Sequence, residues 1–147
     1  MLFKSIFAGI LLVFVSSISA KECNLDISGT DMMQFDKTIL ELDSGCTSAN
    51  LTLKHTGALA KNIMGHNVVI VATEKFDSVI ASISMDAGLD NGYLAESEDV
   101  LAKTAMIGGG EVSEIALDLS KFEKGASYTF FCSFPGHYAI MKGKFVI

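Results

Sequence analysis

Short apolar stretches alternating with polar residues, and separated by compact turn formers, constrain this chain more than any other feature. Leu25 with Ile27, Ile39 with Leu42, Leu51 with Leu53, Val68 to Val71, Ile115 with Leu117 and Leu119, Tyr128 to Phe131 and Phe145 to Ile147 read as strands. Gly29-Thr30, Asp43-Ser44-Gly45, Gly108-Gly109-Gly110 and Lys124-Gly125 read as the turns between them. The spacing predicts an all-β sandwich or barrel. One segment breaks the pattern: Phe76, Val79, Ile80, Ile83 and Ala87 recur every three or four residues, with Gly88 placed as a C-terminal cap. This predicts a single helix inserted between strands, as a flap over one end of the sandwich.

The first twenty residues read differently. Lys4 precedes an apolar run from Ile6 to Val15, and a Ser-rich stretch ends in Ser19-Ala20. That is the pattern of an export signal, too short for a membrane anchor, with cleavage expected after Ala20. Residues 21–147 are then one domain, large enough to bury its own core and without a membrane anchor once the signal is removed. The net charge of −6 becomes −7 without Lys4, and every cationic residue is a lysine. With no arginine and no basic patch, nucleic-acid binding has no support.

Three cysteines in an exported chain leave one over when two pair. Cys23 and Cys46 are the natural couple, and Cys132 stays a thiol. An unpaired thiol in an oxidising compartment is either buried and inert or held as a metal thiolate. Its neighbours decide between the two. From Tyr128 to Ile147 the chain reads strand, loop, strand, and the loop brings Cys132, His137 and Met141 together around the Pro135-Gly136 turn. One more nitrogen completes a four-donor site. His66, in a turn before the apolar stretch Asn67 to Val71, is the better candidate, and His55 is the other.

Two imidazoles, one thiolate and a weak axial thioether are the donors of copper that cycles between two oxidation states. Zinc prefers four Cys or His donors, or three and a water, so a methionine argues against it. A Cys-His nucleophile pair would need an orienting group and an oxyanion site, and neither is legible, so the chain does not read as an enzyme.

Cys23-Asn-Leu-Asp-Ile, Lys61-Asn-Ile-Met-Gly-His-Asn67, Leu89-Asp-Asn-Gly-Tyr93, Ile107-Gly-Gly-Gly-Glu111 and Phe130-Phe-Cys-Ser-Phe-Pro-Gly-His137 together carry a resemblance. In order and spacing the chain resembles the azurins, bacterial members of the cupredoxins, over essentially all of residues 21–147. The resemblance implies a cupredoxin-like Greek-key β-sandwich or barrel of about eight strands with one short inserted helix. It implies a trigonal copper plane of His66, Cys132 and His137, with Met141 and the Gly65 carbonyl as distant axial partners, and a Cys23–Cys46 disulfide. Asn67 would bond near the sulfur and tie two ligand loops together, and Phe134 would offer its backbone N–H to the same sulfur. An apolar patch of Met33, Leu59, Met64, Phe134 and Ala139 would dock redox proteins such as c-type cytochromes or reductases transiently, in the bacterial periplasm. Val68 stands where many members carry a buried tryptophan. His55 matches a position beside the copper site, as a buried core histidine or as a proton-linked modulator. The implied function is that of a single-electron carrier; the alternative is a periplasmic copper-buffering or copper-delivery protein.

Overall fold

The computed structural model describes residues 21–147; the expected export signal, residues 1–20, lies outside the described residues. Among the described residues nine strands follow one another: β1 (Glu22–Thr30), β2 (Gln34–Phe35), β3 (Ile39–Glu41), β4 (Ser48–His55), β5 (Val69–Ala72), β6 (Val100–Lys103), β7 (Val112–Leu117), β8 (Tyr128–Phe131) and β9 (Lys142–Val146). They form two sheets, ordered β2-β1-β4-β7 and β3-β9-β8-β5-β6. The chain passes repeatedly between the sheets, so most neighbours within a sheet are distant in sequence. β1 and β4 are parallel, paired from Glu22 with Ser48 through to Gly29 with His55.

Alternation sets the faces. In β4 the inward row runs Ala49, Leu51, Leu53, His55, so the same periodicity that builds the core delivers an imidazole to one end of it. Leu25, Ile27, Leu51 and Leu53 meet Leu40, Ile70, Phe130 and Phe145 from the other sheet. Each such side chain contributes roughly 1.5–3 kcal/mol on burial. Val68 joins this core with no exposed surface.

β5 is buried on both faces because the second sheet is covered on its outer side. Val69, Val71 and Phe131 pack there against Val79 and Leu94. Val79 belongs to α2 (Phe76–Ala81), the inserted helix, which is shorter than the apolar spacing predicts. Ile83 lies beyond its end, and Met85–Ala87 form a separate 3-10 turn that Gly88, at φ 79°, terminates. A one-turn helix, α1 (Lys61–Met64), precedes His66.

Three further details differ from the sequence reading. β2 and β6 are additional edge strands; β2 is only two residues long, and β6 follows the polar run Glu96-Ser97-Glu98-Asp99, so neither shows alternation. Leu119 lies in a 3-10 turn after β7. Gly29-Thr30 is not a turn but the end of β1, and the turn follows at Asp31 to Met33. The glycine answers a packing demand: a Cβ at Gly29 would stand 2.6 Å from Cδ2 of His66. Cys23 and Cys46 are bonded, with Cα atoms 5.8 Å apart.

Candidate metal centre

Three separate segments converge at one end of the sandwich. His66 sits between α1 and β5, fixed by a backbone bridge: its N–H donates to Ile107 O at 2.9 Å and its carbonyl accepts from Ile107 N at 2.8 Å. Cys132 follows β8, and its N–H donates to the Met141 carbonyl at 3.0 Å. His137 opens a 3-10 turn after Gly136, whose φ of 85° reverses the loop back toward the sulfur. The His137 N–H donates to Phe134 O at 2.9 Å, and its carbonyl accepts from Met141 N at 2.8 Å. The loop is thus braced by its own backbone.

Cys132 Sγ lies 3.9 Å from Nδ1 of His66, 3.7 Å from Nδ1 of His137 and 3.8 Å from the Gly65 carbonyl oxygen. The three donor atoms of His66, Cys132 and His137 all fall within 4.8 Å of one another. Metal bonds to nitrogen and sulfur of about 2.0–2.3 Å span such separations, so one ion reaches all three. His66, Cys132 and Met141 are completely buried and His137 is 3% exposed. His55 does not join the donor cluster. It stacks on His66, with centroids 4.4 Å apart and planes at 15°.

Hydrogen bonds settle which ring nitrogen is free. Nε2 of His66 donates to Thr30 O at 2.8 Å, which leaves Nδ1 facing the sulfur as a lone pair. His55 Nδ1 accepts from Gly57 N at 3.1 Å, so its Nε2 donates to Met64 O at 2.8 Å, and the ring serves as a buried spacer behind His66.

Asn67 ties the two ligand loops together. Its Oδ1 accepts from Ser133 N at 2.8 Å, and its Nδ2 donates to Ser133 Oγ at 2.8 Å. The backbone N–H groups of Asn67 and Phe134 are directed at the Cys132 sulfur, where they favour the thiolate. Burial outweighs them and pushes the metal-free thiol up to about 12. A bound metal ion would displace the thiol proton. Burial lowers both imidazoles below their usual range, His137 to about 4 with a further contribution from the potentials of His66 and His55. Both are neutral donors at neutral pH.

That depression has a stability consequence. An unfolded histidine takes a proton near 6.5, whereas folded His137 refuses it until about 4. The metal-free protein therefore holds the full benefit above the unfolded value and loses it as pH falls from about 6.5 toward 4. Thermal midpoints measured across this window should drop in the wild type and drop less in His137→Gln; equal slopes would show that His137 does not titrate this way.

Sequence reading missed several residues here. Gly29, Thr30, Ser133, Gly92 and Tyr93 all touch or brace the site; Gly92, Tyr93 and Ser133 fall in stretches that carry the resemblance, which assigned them no role. Of the expected patch, Met33, Leu59 and Ala139 are exposed, while Met64 and Phe134 are partly buried. Met32, Ile63 and Ile140, their chain neighbours, are also exposed, at 74%, 59% and 62%.

Two imidazoles and a thiolate converging at the end of a two-sheet β-sandwich define a cupredoxin: a blue-copper protein that carries electrons one at a time. Comparison with known proteins agrees. Residues 21–147 match the model of the copper binding proteins, plastocyanin/azurin family, and the chain belongs to that family. It is 46% identical to the azurin of Bordetella pertussis over 145 residues, covering 97% of this chain and 96% of that protein. The azurin of Alcaligenes faecalis is 48% identical over 82% of this chain and 94% of its own length. The azurin of Pseudomonas aeruginosa is 40% identical over 97% of each. Copper is therefore the cofactor.

Proposed function

We propose that His66, Cys132 and His137 would hold the copper, with Met141 and the Gly65 carbonyl as weaker donors, and that the chain passes single electrons between redox proteins without substrate chemistry of its own. The observation that carries this reading is the convergence of three buried donors within 4.8 Å on segments that are hydrogen-bonded to one another. Bound copper supplies the one-electron change. The chain supplies the rest: a thiolate and two neutral imidazoles already aimed, and backbone N–H groups that fix the sulfur. A cage that does not move keeps the reorganisation accompanying each electron small.

Residues 1–20 would direct export to the bacterial periplasm and be removed, and among the described residues no helix is long and apolar enough to cross a membrane. Met33, Leu59, Met64, Phe134 and Ala139 would dock transient partners such as c-type cytochromes or reductases. Phe134 stacks 4.5 Å from the His137 ring, which supports an electron path out through that ligand. Small electron-transfer interfaces favour quick release. Complete burial of His66 and Cys132 speaks against the alternative, rapid delivery of copper to another protein.

Copper(II) added to the purified protein should give an intense visible band that disappears on reduction and returns on oxidation, with the metal retained against a chelator. A colourless complex would sink the ligand assignment; a blue protein that surrenders copper readily would favour buffering. Replacing Met141, fully buried beside Cys132, with leucine removes a weak donor that favours the oxidised ion. Met141→Leu should keep the colour and raise the reduction potential, measured by voltammetry; an unchanged potential would reduce Met141 to packing.

A further inference from the structure

The inserted region between β5 and β6 does more than cover the sheet. Its trailing segment, Leu89 to Leu94, reaches the copper end by two routes. First, Ser133 Oγ, fully buried, donates to the Gly92 carbonyl at 2.6 Å while accepting from Asn67 Nδ2, so a single hydroxyl joins this segment to both ligand loops. Second, the Tyr93 ring meets Phe134 edge to face, with centroids 5.6 Å apart at 89°, and Phe134 in turn lies against His137.

The backbone is shaped for these contacts. Gly92 and Tyr93 are consecutive left-handed residues, at φ 65° and 59°. A Cβ at Gly92 would stand 2.6 Å from Asn67 Nδ2, so no other residue fits that approach. A left-handed tyrosine is uncommon, and here it is held on both sides: its N–H donates to Gly88 O at 2.9 Å and its carbonyl accepts from Ser84 N at 2.9 Å. Leu94 anchors the segment in the apolar cluster under α2. Ring and carbonyl are thus presented to the ligand loop by a frame that is rigid in its own right.

The geometry points to Gly92, Tyr93 and Ser133 as positioning residues for the electron-transfer site: they hold the Phe134 backbone so that its N–H stays aimed at the Cys132 sulfur and the His137 ring stays preset. This rests on the assignment of His66, Cys132 and His137 as copper ligands. An N–H directed at the sulfur weakens its donation to the oxidised ion and raises the potential, so a slack loop lowers the potential and adds motion to each electron step.

The test compares Ser133→Ala and Tyr93→Leu with Ser133→Thr, which keeps the hydroxyl, and with Leu117→Ala, which opens the core beside Ala49 at the disulfide end of the sandwich, away from this segment. Wild-type protein is loaded with copper first, and a colourless wild type would sink the ligand assignment rather than this inference. In blue protein, Ser133→Ala and Tyr93→Leu should lower the reduction potential and slow electron self-exchange several-fold. In metal-free protein they should speed hydrogen exchange at the Phe134 amide. Ser133→Thr should restore all three, and Leu117→Ala should lose thermal stability with potential and exchange unchanged. Wild-type potential and Phe134 protection in both loosened variants would overturn the inference, as would a shift of equal size in Leu117→Ala.

Discussion

Cys132→Ser should fold, remain colourless with copper(II), and lose the intense visible band completely. The band needs a thiolate, and a serine hydroxyl neither ionises at accessible pH nor offers a soft donor to the reduced ion. Folding survives because the replacement is smaller by little and is not left alone. The backbone N–H groups of Asn67 and Phe134 that face the sulfur would face the hydroxyl oxygen instead. The cost is then that of an altered buried polar contact, about 1 kcal/mol, within a core that is otherwise intact. Far-ultraviolet circular dichroism and a thermal midpoint close to that of the metal-free wild type check the fold; the visible spectrum checks the site. A blue Cys132→Ser protein would remove the thiolate from the mechanism.

The same variant isolates a second property of the thiol. The folded metal-free pocket holds the proton up to about 12, against an ordinary value of 9.0. A raised folded pKa contributes stability that is complete below the unfolded value and fades as pH climbs through the folded one. Between these limits the unfolded chain releases a proton that the folded chain keeps, and stability falls by about 1.4 kcal/mol per pH unit for one such group. The metal-free wild type should therefore lose stability more steeply above pH 9 than Cys132→Ser does, which denaturant titration at stepped alkaline pH would register.

Much of the candidate site was legible in the sequence because its proposed donors are chemically rare. Cys132, His137 and Met141 fall within ten residues, and a chain with three histidines offers few ways to complete the set. The core was legible for a related reason: alternation at Leu25 and Ile27, or Leu51 and Leu53, is imposed by a sheet with one wet face. The choice between His55 and His66 was harder. Both are buried and stacked on each other, and only the direction of ring nitrogens, fixed by Thr30, Met64 and Gly57, separates the proposed ligand from the spacer. Gly29 was misread as a turn because a glycine demanded by a neighbouring ring looks, in sequence, like one demanded by backbone curvature. Tyr93 fell in a stretch that carried the resemblance, but its role was not legible there: its left-handed backbone and its contact with Phe134 are tertiary facts. The helix was overextended because Ile83 and Ala87 keep helical spacing across a break at Ser82.

Removing the disulfide with Cys23→Ala/Cys46→Ala should lower stability by about 3 kcal/mol, the loop-closure entropy returned to an unfolded chain by opening a loop of this size. That corresponds to a fall of roughly 10 °C in the thermal midpoint for a domain of this length. The potential and the visible spectrum should not move. Cys23 pairs in register with Ala49 near the start of β1, and the strand then runs six residues to Gly29, which packs on His66. At about 3.4 Å per residue that is on the order of 20 Å of hydrogen-bonded sheet between bridge and site. Over that distance the proposed ligands are held by local devices: Ile107 on His66, Met141 on Cys132, Asn67 and Ser133 across the loops. Global stability and site geometry are then separately set, and differential scanning calorimetry beside voltammetry would measure the two apart. A shift in potential that tracked the lost stability would mean that the cage is stiff only because the whole sandwich is, and the local bracing would have no independent role.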